Sequence, residues 1–250
     1  LHHIPALNNV LYNEYILFPI ADFYLKKERW NEAIEVYEEM ETIGALKGRG
    51  AEYYQKLGYA LQKNKKYAEA IDAYLKADTL KPDNIWNNRH LAICYRLNRN
   101  YQAALSYYKK VEEATPEAST AVFYIGSCLA ELGQYEEALN YFFKLDFIES
   151  NCVKAWRGIG WCSFISLKYE QAMKYYEKII EHKPLAIDYM NAGHVAWVMG
   201  NIQKAAVLYG KAITACGTRE RFLEMFHKNE EPLLKQGIRE EDIPLMLDLL

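Results

Sequence analysis

With 250 residues, of which 51% are hydrophobic and 25% charged, the chain can build a sizeable core and is too apolar for disorder. A net charge of −3, with no block of like charges, argues against general binding of nucleic acid or anionic membrane. No apolar run approaches the roughly 18 residues of a membrane span, and the opening Leu1-His2-His3-Ile4-Pro5 lacks the basic-then-apolar order of a secretory leader.

Residues 1–13 read as a short helix or as the remnant of an earlier repeat. From about residue 14 a pattern recurs: a small residue, an alanine twelve positions on, and an aromatic four after that. The triplets are Ala21, Ala33 and Tyr37; Gly58, Ala70 and Tyr74; Ala92, Ala104 and Tyr108; Gly126, Ala138 and Phe142; Gly160, Ala172 and Tyr176; and Gly193, Ala205 and Tyr209. Their steps are 37, 34, 34, 34 and 33 residues, a period that means similar stacked units rather than one globular core. The repeats fall at about 14–47, 51–84, 85–118, 119–152, 153–185 and 186–217. Pro19 sits inside the first helix of the first repeat, which should therefore start late or kink. Gly44, Gly48 and Gly50 mark a loose turn after it.

The clearest unit is Ala51 to Asn84, whose residues we number as slots 1 to 34. Tyr54, Leu57, Gly58 and Leu61, at slots 4, 7, 8 and 11, share one helical face. Ala70, Tyr74 and Ala77 share another, and the polar Lys63-Asn64-Lys65-Lys66 separates the two helices. Pro82 ends the second helix. Glycine inside a helix costs about 1 kcal/mol against alanine. Its recurrence at slot 8 implies that two helices approach too closely there for a side chain.

These residues resemble the tetratricopeptide repeat family, whose pattern is W/Y-x-x-L-G-x-x-Y, then A-x-x-x-F/Y-x-x-A, then P. Tyr54, Leu57, Gly58, Leu61, Ala70, Tyr74, Ala77 and Pro82 match it, and Pro116 and Pro184 keep the last position. Ser150 and Gly217 depart from it, as do Asn88 at slot 4 and Ser163 at slot 11. The resemblance covers about residues 14–217. It implies an all-α, right-handed α-solenoid of about six helix hairpins that acts as a protein–protein interaction scaffold, an expectation that includes no catalysis.

After Gly217 the period stops. Arg219 to Lys228 reads as an amphipathic helix, Pro232 opens a short segment that Gly237 ends, and Glu240 to Leu250 reads as a final helix with Pro244 in its first turn. A solenoid exposes its last apolar face unless something covers it, so residues 218–250 are expected to form a helical cap.

In the family, slots 2, 5, 9, 12 and 13 of each first helix line a concave groove where partner peptides lie. Applied to this chain, that face carries Tyr59, Trp86, Arg89, Arg96, Phe123, Lys154, Arg157, Trp161, Phe164, His194 and Trp197. Large aromatics beside arginine are the composition of binding hot spots. Three occupants are consistent with it: a partner protein or peptide with apolar anchors and carboxylates for Arg89 and Arg157, the chain's own C-terminal tail, or a second copy. A further reading makes the chain a regulatory or assembly segment of a longer protein, contacting its other domains. Chaperone-docking relatives carry Lys at slot 5 with Asn at slot 9. No repeat here has that pair, which disfavours an acidic chaperone tail.

Cys94, Cys128 and Cys162 stand 34 residues apart, one per repeat. Stacked helices lie about 8–10 Å apart, beyond the roughly 7 Å a disulfide allows between alpha carbons. These cysteines should be free apolar fillers, which favours a reducing, cytoplasmic setting. The chain shows no P-loop, dinucleotide fingerprint, G-x-S-x-G or H-E-x-x-H. No catalytic residue, metal or cofactor is expected.

Overall fold

The structure, a computed structural model, describes residues 10–44 and 49–250, with side chains from Tyr15 onward. Residues 1–9 and Gly48, on which two of the expectations above partly fall, lie outside the described residues. Twelve helices pair in sequence: α1 (Val10–Lys26) with α2 (Trp30–Thr42), α3 (Gly50–Lys63) with α4 (Tyr67–Leu80), α5 (Ile85–Leu97) with α6 (Tyr101–Ala114), α7 (Ser119–Glu131) with α8 (Tyr135–Ile148), α9 (Val153–Ile165) with α10 (Tyr169–Ile180), and α11 (Ala186–Val198) with α12 (Ile202–Cys216). Three short helices follow, α13 (Arg219–His227), α14 (Glu231–Lys235) and α15 (Asp242–Asp248). Among the described residues there is no strand. The molecule is an all-α solenoid of helix hairpins.

The chain divides into two compact units, Leu1–Pro116 and Glu117–Leu250. In the first, α2 packs on α3, α4 on α5, and α3 lies beside α5. In the second, α8 packs on α9, α10 on α11, and α7, α9 and α11 neighbour one another in turn.

The missing bulk at slot 8 has a steric cause at each glycine. A Cβ built on Gly58 would stand 2.8 Å from the Tyr74 ring, on Gly126 3.0 Å from Phe142, on Gly160 3.0 Å from Tyr176, and on Gly193 2.5 Å from Tyr209. At Gly58 and Gly193 no real Cβ contact is that short, and at Gly126 and Gly160 the ring would have to give by a few tenths of an ångström, so the second-helix aromatic occupies the space the glycine vacates. The slot-20 alanines Ala33, Ala70, Ala104, Ala138, Ala172 and Ala205 are all fully buried.

Each hairpin turns through one residue in the left-handed region, always at slot 15: Glu28, Lys65, Arg99, Gly133, Leu167 and Gly200. The next amide donates to the carbonyl five residues back, as in Lys66 to Leu61 and Gln134 to Leu129, and this closes the first helix. Second helices start on side-chain caps where the sequence provides one: Asn100 accepts from Ala103, and Asn201 from Lys204.

Two local expectations change. α1 runs through Pro19 without a late start. The proline lies on the exposed side, where the carbonyl of Tyr15, deprived of its amide partner, can meet water. In α3 the fully buried tyrosine is Tyr53 at slot 3, not Tyr54 at slot 4, because the Tyr53 hydroxyl donates to the Tyr37 carbonyl (2.6 Å) of the preceding hairpin. Asn87, also at slot 3, donates in the same way to the Tyr74 carbonyl (3.0 Å).

The tail packs on the second unit. α13 packs on α11 and α12 and buries Phe222 and Phe226 completely. Arg219 holds α15 by donating to the Leu247 carbonyl (2.8 Å), and Gln236, just after α14, accepts from the Tyr169 hydroxyl (2.7 Å).

Candidate functional site

The proposed groove residues divide between the two units. The first holds Tyr59 of α3 and Trp86, Arg89 and Arg96 of α5. Trp86 remains 41% exposed, its ring centroid 4.0 Å from His90 and 6.3 Å from Tyr59. His90, at slot 6, stacks on Tyr74 (5.7 Å, 28° between planes) and donates from Nδ1 to Gln62 Oε1 (2.7 Å), which also accepts from the Tyr74 hydroxyl (3.0 Å). Burial, with the charges of Arg89 and Lys63 adding to it, lowers His90 to about 4, so the imidazole is neutral near pH 7. Arg89 is exposed and Arg96 half-buried. The hydrogen-bonded His90 covers Tyr74 at this step.

The second unit has a cleft of about 650 Å³ between α7 and α9. Phe142 of α8 and Cys162 of α9 line its floor, and the half-buried Phe123 and Trp161 form its walls. Glu131 and Lys154 stand on its rim, both exposed. Lys154 makes no ion pair among the described residues, and its Nζ lies 5.6 Å from the centre of the Phe123 ring.

Gly158, at slot 6 of α9, shapes this floor. A Cβ there would stand 2.6 Å from the Phe142 ring, so the ring lies directly against the helix backbone. Sequence reasoning passed over Gly158. The available signal was a second glycine two residues before Gly160, a further helix penalty needing its own cause.

Arg157 also lines the cleft, but its charge is committed. Its Nε and Nη2 donate to the two carboxylate oxygens of Asp188 (2.8 and 2.7 Å), and Asp188 is only 1% exposed. Asp188 also accepts from the Leu185 amide (2.7 Å) and so caps α11. Arg157, expected to receive a partner's carboxylate, already holds an internal one. Asp188 was missed because it sits 31 positions from Arg157 and at slot 3, which carries no recurring charge.

Three expected lining residues are interior instead. Phe164 is 1%, His194 0% and Trp197 5% exposed. His194 bonds through Nδ1 to the Tyr209 hydroxyl (2.7 Å) and meets the edge of Phe226 in α13, while burial lowers it to about 3. Trp197 faces Leu245, Met246 and Leu249 of the tail across a smaller cleft of about 300 Å³. The tail covers the end of this face at the sixth hairpin and leaves the α7–α9 cleft open.

All five cysteines are free. Burial pushes the Cys94 and Cys162 thiols up to about 12, which leaves them unreactive near pH 7. Among the described residues no cluster of His, Cys, Asp and Glu could hold a metal ion, and no helix is long and apolar enough to cross a membrane.

No curated protein matches the chain. Among solved structures, a tetratricopeptide repeat protein from Parabacteroides merdae is 20% identical, with 95% of this chain and 98% of that one covered at a TM-score of 0.66. YrrB, described as a TPR protein with an unusual peptide-binding site, is 21% identical over 74% of this chain and 96% of its own, at 0.61. MamA is 20% identical over 73% and 97%, at 0.62. Three models of the tetratricopeptide repeat match residues 17–44, 51–84 and 92–146. The match at 51–84 includes the Gly58–Tyr74 contact and that at 92–146 the Gly126–Phe142 contact, and with the structural neighbours the three matches make the chain a tetratricopeptide repeat protein.

Proposed function

We propose that the chain is a non-catalytic protein-interaction module that holds an extended segment of a partner protein on the groove-lining face of its first helices. The cleft between α7 and α9 is the main contact in the second unit. One observation carries this reading: an open cleft of about 650 Å³ walled by half-buried Phe123 and Trp161. A face left to water gains nothing by keeping two large rings around a cavity, whereas a partner side chain buried there gains apolar contact on three sides. The peptide-binding site ascribed to YrrB, a protein of the same fold, supports this use of the fold and assigns no residue here. The trimmed lining is Tyr59, Trp86, Arg89 and Arg96 in the first unit, and Phe123, Lys154 and Trp161 in the second. The five free thiols fit a reducing, cytoplasmic setting.

A photo-crosslinking residue at Ser127, inside the cleft, tests the reading against the same residue at exposed Ser106 of α6. Crosslinks at Ser127 should concentrate on one segment of one protein and fall with Trp161→Ala. Equal yield at both positions would refute it.

A further inference from the structure

Resting on the interaction reading above, we infer that the α7–α9 cleft takes a peptide with one large apolar side chain, flanked by an acidic residue towards Lys154 and a basic residue towards Glu131. The apolar position follows from the floor and walls. The Phe142 ring lies against the α9 backbone at Gly158 and forms an apolar floor, and Phe123 and Trp161 stand on either side.

The charges follow from which rim groups are uncommitted. Arg157 is neutralised by Asp188, which already accepts three hydrogen bonds. Lys154 near the start of α9 and Glu131 at the end of α7 are exposed, and Lys154 meets the Phe123 ring and acts on the nearby Glu149 carboxylate through space, without an ion pair. They occupy slots 2 and 13 of helices running in the same direction, about 16 Å apart along the axes at 1.5 Å per residue and about 9 Å apart across them, or about 19 Å in all. An extended chain covers that span in about six residues. The peptide therefore carries its acidic and basic residues about six positions apart, with the apolar anchor between them.

Selection from a phage library of random twelve-residue peptides on the intact chain tests this. Enriched sequences should share the acid–anchor–base order, and a synthetic peptide of that sequence should bind. Serine in place of its anchor should weaken binding at least about tenfold. Filling the cleft with Ser127→Trp should do the same, and Lys154→Glu should turn the acidic preference into a basic one, a change of about threefold per peptide charge. Neither variant touches the packed core: Lys154 is exposed and Ser127 half-buried, and helical content by circular dichroism checks the fold. Enriched peptides that lack the order, or that bind both variants as well as the parent, overturn the inference and leave the interaction reading standing. No enrichment over bare support overturns both.

Discussion

The step from α3–α4 to α5 and the step from α7–α8 to α9 are built on the same slots and end differently. Both place a buried slot-24 aromatic against a slot-8 glycine, Tyr74 on Gly58 and Phe142 on Gly126. At slot 6 of the following helix they diverge. His90 covers Tyr74 in the first step with a stacked ring and a hydrogen bond to Gln62, whereas Gly158 lets the Phe142 ring lie against the α9 backbone, beside a cleft of about 650 Å³. The slots that fix the backbone recur, and the slot at which the two steps diverge does not. Architecture and specificity therefore rest on different residues of the same unit, and substitutions should separate them.

The largest effect should come from the shared slot. Phe142→Ala and Tyr74→Ala each remove a ring that fills the gap between two hairpins and should cost about 3–5 kcal/mol. Tyr74→Ala also strips Gln62 of one donor and His90 of its stacking surface. Chemical denaturation reads both. If Phe142→Ala costs less than about 1 kcal/mol, the two steps do not share a core.

Next comes the divergent slot. Gly158→Ala should destabilise by about 1–3 kcal/mol, because the Phe142 ring must move and the interior is already close-packed. The better helix propensity of alanine returns about 1 kcal/mol of that. A net gain in stability would show that the ring has room and that the glycine has no steric cause.

The two groove arginines make a third contrast. Arg157→Ala leaves the nearly inaccessible Asp188 carboxylate without its cation and should cost about 1–3 kcal/mol. Arg89→Ala, on an exposed side chain, should stay within about 0.5 kcal/mol. Equal costs would mean that the Arg157–Asp188 pair contributes no more than a surface contact.

Much of the scaffold is legible in the sequence because its physics repeats. One steric rule, a glycine or alanine opposite an aromatic, acts at slots 8 and 24 in unit after unit, so coincidence at a fixed period exposes it. What stays hidden is what happens once. Slot 6 reads Lys56, His90, Tyr124, Gly158 and Asn191, with no trend to flag the glycine. Asp188 becomes significant only when Arg157 reaches it from the preceding hairpin. The face pattern also says nothing about coverage: Phe164, His194 and Trp197 occupy lining slots, yet packing at the capped end makes them interior. Tyr53 took the buried place from Tyr54 because its hydroxyl found a carbonyl on the preceding hairpin, a partner outside its own repeat.

The smallest effect concerns protons. His90 titrates at about 6.5 when unfolded and near 4 when folded, so the unfolded chain takes up the proton first. Its contribution to stability is complete above pH 6.5, declines as pH falls through 6.5 towards 4, and is flat below. One proton of difference gives a slope of up to about 1.4 kcal/mol per pH unit in that window. His194, near 3 in the fold, adds a slope of the same sign in the second unit. His90→Gln should remove the first and leave the second, so thermal melts between pH 6.5 and 4 should depend less steeply on pH than the parent. An unchanged slope would mean that His90 keeps its ordinary affinity for a proton and is not held neutral over Tyr74, and the contrast with the open Gly158 step would then rest on shape alone.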